Sequence, residues 1–139
     1  MGSPNSLTIK AKFENLERLS NFIDDFARGA GFKESSLYNI KTAVDEACSN
    51  IIEHAYNGDR SGNIECVCTM CGDNIEIMLH DHGIPFDPDS IPMPDLSGLI
   101  NTQAEGGLGL YFMRTLMDEV RFNFSPADGN FVTMIKHRE

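Results

Sequence analysis

Three polar residues recur at helical spacing in the stretch VDEACSNIIEHAY, which runs from Val44 to Tyr56. Glu46, Asn50 and His54 follow each other every four residues, so a helix places them on one face, while apolar residues at helical spacing form another face. Asparagine is a poor helix former, and its place in the middle of this helix needs a reason. The polar face is therefore either plain solvent-exposed surface or a face that is lined up against a ligand.

Glu46 and Asn50 have side chains that suit chemistry at a phosphate. The amide oxygen of Asn50 is a hard ligand of the kind that Mg²⁺ binds in proteins, together with phosphates and waters. Glu46, one turn earlier, is then placed to deprotonate or orient a nucleophile that arrives at the terminal phosphate. His54 continues the row, but a histidine at such a position is more often a structural hydrogen-bonding residue. Asp45 points roughly 100° around the helix from Glu46, so the two are not a paired acid.

A second signal lies where an alternating strand ends, in the stretch LHDHGIPFDP. A buried Asp81 carboxylate at this point can accept a hydrogen bond from the exocyclic amine of adenine, and Gly83 beside it leaves room for the ring. His80 and His82 flank Asp81, but strand alternation puts both on the opposite face of the strand. This alternation favours a nucleobase contact at Asp81 over a metal site made by all three residues.

A third signal is the glycine-rich stretch EGGLGLYFM, in which Gly106, Gly107 and Gly109 immediately precede a predicted helix. Glycines at a helix start allow close backbone approach, and the free N–H groups together with the helix dipole attract anions. The stretch therefore predicts either a phosphate cradle or a flexible loop hinge. It is not a Walker A motif, since no Gly-Lys-Ser/Thr follows, and no strand leads directly into it as in a Rossmann fingerprint.

The segment between these two glycine signals, residues 83–106, is predicted to be one long loop. Its first part carries four of the six prolines of the chain, which rules out a central strand or a long helix. A loop of this length in a compact domain is usually either functional or disordered. Next to a triphosphate it can close as a lid and exclude water.

The hydrophobic patterns of the remaining chain predict an α+β fold with two layers. Alternation predicts strands at residues 7–13, 63–71, 74–81, 119–125 and 131–137, and the last four form two hairpins. Helical spacing predicts helices at residues 14–31, 34–56 and 108–120. The sheet is therefore predicted to be mixed or mostly antiparallel, with its helices on one face. The whole chain, residues 1–139, is predicted to be a single domain, and its first six residues are predicted to be disordered or derived from cloning.

The net charge of −10 argues against direct binding of nucleic acid or of an anionic membrane surface, because both require clustered Lys and Arg. It leaves room for a nucleotide ligand, whose phosphates a divalent cation can neutralise, and it suits a basic partner protein. The first residues lack the features of a signal peptide, and no apolar run is long enough to span a membrane, which predicts a cytoplasmic protein. Cys68 and Cys71 form a C-x-x-C pair, but no second ligand pair follows at zinc-finger spacing, so the cysteines are expected to be packed or free thiols.

Taken in order, Glu-x-x-x-Asn, Asp-x-Gly and Gly-Leu-Gly-Leu resemble the motifs of the GHKL ATP-binding superfamily, and nearly the whole chain resembles the small anti-sigma factor serine kinases of bacterial partner-switching modules. The resemblance implies the Bergerat-type ATP-binding fold. It implies that Glu46 is the catalytic base and that Asn50 is the magnesium ligand. The ATP-binding residues that it implies are Asn50, Asp81, Gly83, Gly106, Gly107, Leu108 and Gly109. The chain differs from the broad superfamily pattern at Pro85 and Glu105, where many members have glycine.

The resemblance further implies what the chain does and what it binds. The expected activity is ATP-dependent phosphorylation of a serine on a small STAS-type antagonist protein, with ATP or ADP and Mg²⁺ as cofactors. The same protein is expected to sequester a sigma factor and to form a homodimer. Two alternatives stay open: a nucleotide-binding partner-switching module without kinase turnover, and the excised ATP-binding domain of a larger signalling protein.

Overall fold

The computed structural model describes residues 5–57, 61–85 and 113–139 of the chain. Within them, five strands form one antiparallel sheet in the order β1-β2-β3-β5-β4. The strands are β1 (Asn5–Lys10), β2 (Asn63–Cys71), β3 (Asn74–Asp81), β4 (Glu119–Ser125) and β5 (Gly129–His137). Two long helices, α1 (Leu16–Gly29) and α2 (Glu34–Asn50), lie between β1 and β2 in the chain. The predicted α+β class is confirmed.

The strands alternate between a buried face and a more exposed face, as their sequences predict. On β2 the buried residues are Ile64, Cys66 and Cys68, while Cys71 at the end of the strand is exposed. The inward side chains of β3 and β5 join the same core, which also contains the apolar stripes of α1 and α2. All four cysteines are free thiols, and no disulfide forms among them, as predicted.

Strand β1 is shorter and begins earlier than predicted. It covers Asn5–Lys10 rather than residues 7–13, because the chain turns into a short 3₁₀ helix at Phe13–Asn15. The Asn15 side chain donates a hydrogen bond to the Lys10 carbonyl at 3.1 Å and closes this turn. The prediction at this strand is therefore wrong at both ends.

The second predicted helix changes from α-helical to π-helical geometry near its end. Regular α-helical geometry runs from Glu34 to Asn50, and a π-helical turn follows at Ile51–Ala55. Tyr56 N–H accordingly donates to the Ile51 carbonyl, five residues back, at 2.9 Å. The apolar residues Ile51, Ile52 and Ala55 stay buried through this turn, so the core continues across it.

The third predicted helix is too long at its carboxyl end. Residues 113–116 are helical, but β4 begins at Glu119, where the helix was predicted to continue to residue 120. The Asp118 N–H donates to the Ile135 carbonyl at 2.9 Å and starts the pairing with β5. Residues 108–112 of that predicted helix lie outside the described residues. None of the described helices is long and apolar enough to cross a membrane.

Candidate functional site

Glu46 and Asn50 lie one turn apart on α2, so both belong to the predicted polar face of this helix. Glu46 is half-buried, Asn50 is 5% exposed, and His54 on the π-helical turn is exposed. The wider turn at Ile51–Ala55 interrupts the spacing that a continuous α-helix would give, so His54 departs from the row formed by the first two residues. Burial of a polar asparagine contradicts the alternative that this face is plain surface.

The surroundings of the Asn50 amide bear on its predicted role as a magnesium ligand. No hydrogen bond links its amide to another residue in the described ranges, although most buried polar groups have such a partner. No side-chain nitrogen or oxygen among the described residues is both sealed from solvent and unpartnered. In the described chain no partner holds the Asn50 amide, and its oxygen is the kind of ligand that Mg²⁺ takes.

The carboxyl group of Glu46 has an environment that suits a general base. Burial is the main cause that raises its pKa above the usual glutamate range, and the negative charges of Asp45 and Glu53 raise it further. A carboxylate with a raised pKa binds a proton more readily, which is what removal of a proton from a hydroxyl requires. Such perturbed groups concentrate at functional sites.

Asp81 is the most deeply buried acid of the described chain, with 2% of its surface exposed. Its Oδ1 accepts two hydrogen bonds of 2.9 Å each, one from the Gly83 N–H and one from the Asn130 side-chain amide. Its Oδ2 has no hydrogen-bond partner among the described residues. One oxygen of a buried carboxylate is thus held by two donors of the protein.

Gly83 allows the loop after β3 to pack directly on the end of the helical segment. A Cβ at this position would lie 2.5 Å from both the carbonyl carbon and the carbonyl oxygen of Ala55. The next residue, Ile84, donates its N–H to the Ala55 carbonyl at 2.6 Å. In the described chain the space beside Gly83 therefore serves this contact, and the predicted room for an adenine ring remains a prediction.

Tyr56 is a structural residue of the site that the sequence patterns did not single out. Its hydroxyl accepts a hydrogen bond from the His82 N–H at 2.9 Å and donates one to the Asn63 carbonyl at 2.6 Å. One phenol thus ties the end of the π-helical turn to the start of β2 and to the residue after Asp81. Together with the Gly83 contact, it fixes the loop that carries Asp81 against the helix that carries Glu46 and Asn50.

His80 lies on the opposite face of β3 from Asp81, as predicted, while His82 follows the end of the strand. The His80 ring stacks on Phe131 with ring centroids 4.2 Å apart and an angle of 3° between the planes. Its Nε2 lies 2.6 Å from the Asp128 carbonyl oxygen. In the described ranges, no group of three or more potential metal ligands comes together, so nothing there supports a metal site at His80 and His82.

Several predicted site residues lie outside the described ranges. They are Glu105, Gly106, Gly107, Leu108 and Gly109, together with most of the predicted lid at residues 83–106. Of that lid only Gly83, Ile84 and Pro85 are described. The phosphate cradle and the lid therefore stay predictions.

Two cavities flank the described part of the site. One of about 410 Å³ lies beside the Asp81 loop and is lined by His82, Pro85, Phe124 and Asn130 among others. The other, of about 530 Å³, lies between α1 and α2 and is lined by residues that include Lys41 and Asp45. The first is lined by Gly83 and Asn130, which both donate hydrogen bonds to the Asp81 carboxylate, and its volume falls in the range of small-molecule sites.

Comparisons with known proteins identify relatives of this chain. The sequence profile of the histidine kinase-like ATPase domain matches residues 9–136. A serine-protein kinase RsbW of Bacillus cereus strain AH187 is 33% identical over 135 residues, which cover 94% of this chain and 82% of the relative. The serine-protein kinase RsbW of Bacillus subtilis strain 168 is 40% identical over 96 residues, 66% of this chain and 59% of the relative.

Solved structures show the same fold at lower sequence identity. A crystal structure of the RsbU and RsbW domains of a Mycobacterium tuberculosis protein matches 99% of this chain and 33% of that chain, with a TM-score of 0.70 and 20% identity. A histidine kinase domain from Erythrobacter litoralis matches 94% of this chain and 62% of that chain, with a TM-score of 0.57 and 19% identity. The profile match and the kinase relatives show that this chain belongs to the family of histidine kinase-like ATPase domains.

Proposed function

We propose that this chain is an ATP-dependent serine/threonine protein kinase that acts as an anti-sigma regulatory factor in the cytoplasm. It phosphorylates a serine of a STAS-type antagonist protein, and it sequesters a sigma factor. Relatives named serine-protein kinases, of which the chain covers 82%, support this function. The observation that carries it is the pairing on α2 of a half-buried Glu46, whose pKa is raised, with a buried Asn50 one turn later.

The described residues fit an ATP and Mg²⁺ site. Asn50 would hold the cation through its amide oxygen, and the ion would neutralise phosphate charge when bound. The Oδ2 of Asp81 accepts a hydrogen bond from the amine of adenine, while its Oδ1 stays bonded to the protein. The backbone at Gly106, Gly107 and Gly109 is proposed to bind the phosphates.

Glu46 acts on the nucleophile. Its carboxylate takes the proton of the substrate serine hydroxyl as the serine oxygen bonds to the γ-phosphorus. The bond from that phosphorus to the bridging oxygen breaks, and ADP leaves with the electron pair. Because burial raises the pKa of Glu46, the carboxylate is a stronger base than an exposed glutamate would be.

The net charge of −10 favours basic surfaces on the proteins that this chain binds. ATP or ADP occupancy is proposed to bias whether the sigma factor or the antagonist is held. Homodimer formation belongs to the same proposal and rests on the family resemblance alone.

Transfer of phosphate from ATP to a STAS-type antagonist protein tests this function. Wild type is expected to form phosphoserine on the antagonist, and Glu46→Gln is expected to lower the rate by roughly 10²–10⁴-fold, the usual contribution of a general base. ATP affinity should change less than about threefold, because the uncharged amide keeps the size of the side chain.

Asp25→Asn is the matched control, since Asp25 is an exposed acid on the other helix, α1, and does not affect the pKa of Glu46. Its transfer rate should stay within about twofold of wild type. ATP binding by wild type without any transfer would instead show a nucleotide-binding module. Transfer by Glu46→Gln at the wild-type rate would remove Glu46 from the role of base.

A further inference from the structure

His80, on the face of the sheet that lies opposite Asp81, contacts three parts of the chain at once. Its Nε2 lies 2.6 Å from the carbonyl oxygen of Asp128, in the turn between β4 and β5. Its Nδ1 lies 3.4 Å from Oε1 of Glu65, which is its cross-strand partner on β2. On the other side its ring stacks on Phe131, its partner on β5. One side chain of β3 therefore links β2 to the β4–β5 turn.

The two polar contacts of the ring cannot both be hydrogen bonds unless the ring is charged. A neutral imidazole carries a hydrogen on only one nitrogen, whereas an imidazolium carries one on each. The Asp128 carbonyl and the ionised Glu65 carboxylate are both acceptors, so only the charged ring donates to both. In the neutral ring the short contact to Asp128 keeps the hydrogen on Nε2, and the lone pair of Nδ1 then faces the Glu65 carboxylate.

The titratable groups that face His80 in the described chain are Glu65, His82 and Asp128. The Glu65 carboxylate attracts the charged ring, and the face of Phe131 is a further favourable contact for a cation. The His82 ring lies 4.6 Å away between centroids and opposes the charge only when it is charged itself. The Asp128 carboxylate accepts a hydrogen bond from the Ser125 hydroxyl at 3.3 Å, so the turn holds it.

The turn that His80 contacts continues directly into the Asp81 region. Gly129 has a φ of +100°, and a Cβ there would lie 2.9 Å from His80 Nε2 and 2.5 Å from the Asp81 carbonyl oxygen. The next residue, Asn130, donates to Asp81 Oδ1 at 2.9 Å. A change in how His80 holds the turn is therefore passed to the opposite face of the sheet through two successive residues.

We propose that His80 is a pH-sensitive link between β2 and the β4–β5 turn. Its charged ring donates to both partners, and loss of the proton removes the bond to Glu65 and leaves the bond to Asp128 without the help of charge. Histidine changes charge between about pH 5 and pH 8, so the link is complete at the acidic end of this range and weakened at the basic end. The inference does not depend on the proposed function, because it concerns contacts that need no nucleotide.

Hydrogen exchange of the backbone amides in residues 125–130 tests the inference, expressed as protection factors so that the intrinsic effect of pH on exchange is removed. In wild type these protection factors should fall by about threefold or more between pH 5.5 and pH 8, as expected when a hydrogen bond loses its charge. In His80→Gln, whose side chain stays neutral, the protection factors of the same amides should not change with pH.

Two further variants separate the link from folding and from other histidines. Glu65→Gln keeps His80 but removes the carboxylate, so it should reduce the pH dependence, and it provides a second test if His80→Gln does not fold. His137→Gln replaces an exposed histidine at the far end of β5 and should keep the wild-type dependence. Protection factors of wild type that do not change with pH would overturn the inference. A pH dependence that persists at wild-type size in His80→Gln would overturn it as well.

Discussion

Replacement of Gly83 by alanine should separate the Asp81 loop from the helical segment that carries the other site residues. The added Cβ would lie 2.5 Å from the Ala55 carbonyl carbon and oxygen and 2.8 Å from the Ala55 Cβ. Two of these atoms are backbone atoms inside the core, which move only if the whole turn moves. Gly83 does not have a positive φ, so the expected loss comes from the contact and not from the alanine backbone.

The size of the effect follows from the contacts that must give way. Overpacking of this kind costs about 1–3 kcal/mol, and loss of the hydrogen bond from Ile84 N–H to the Ala55 carbonyl adds about 1 kcal/mol. The free energy of unfolding should therefore fall by roughly 2–4 kcal/mol. For a chain of this size that corresponds to a fall in Tm of roughly 6–12 °C.

Thermal unfolding by circular dichroism and ATP titration by calorimetry measure the two consequences. Besides the lower Tm, ATP affinity should fall by about tenfold or more, because the Gly83 N–H holds Asp81 Oδ1. Gly29→Ala is the matched control: a Cβ there meets nothing within 4 Å, so the substitution should be neutral or stabilising. Equal stability of the Gly83→Ala and Gly29→Ala variants would refute the reasoning.

Two further predictions concern titration and thiol chemistry. Glu46 has a raised pKa in the folded state, so between the ordinary glutamate value of 4.5 and that raised value the folded protein binds the proton more tightly, and its stability falls as pH rises. Glu46→Gln should therefore be more stable than wild type at pH 8 and have a higher Tm. The gain in the free energy of unfolding should be less than about 1 kcal/mol because the side chain is half-exposed, and the plots of stability against pH for the two proteins should converge near pH 4. A difference in stability that is constant with pH would contradict this prediction. Of the four thiols, only Cys71 is exposed, so a thiol reagent should modify one cysteine in the native protein and four in denaturant. Burial raises the pKa of the Cys48 thiol, so rapid reaction of Cys48 in the native protein would contradict this prediction.

Local patterns sufficed to predict most strands and to place Glu46 and Asn50 on one face of α2. Strands β2 and β3 were predicted with their observed bounds, because period-two alternation is visible in each segment by itself. The row of Glu46 and Asn50 was visible for the same reason, since both residues belong to one helix. The structure adds that Asn50 is buried, which the sequence left open.

The features that the sequence did not show depend on residues far apart in the chain. Asn130 meets Asp81 across 49 residues, and nothing in the local pattern of β5 distinguishes it from a turn-flanking asparagine. The π-helical turn at Ile51–Ala55 has no propensity signal, because its residues are ordinary helix formers in either geometry. The sequence predicts Tyr56 only as the last residue of a helix. In the structure its hydroxyl links β2 to the Asp81 loop by two hydrogen bonds.

Calorimetric titration of ATP with and without Mg²⁺, on wild type and on Asn50→Ala, tests the central claim most directly. Binding by wild type should be Mg²⁺-dependent, and Asn50→Ala should lose at least about tenfold in affinity with Mg²⁺ but little without it. Asn39→Ala, an asparagine earlier on the same helix, should behave as wild type. Unchanged Mg²⁺ dependence in Asn50→Ala, or no binding by wild type at millimolar ATP, would contradict the account.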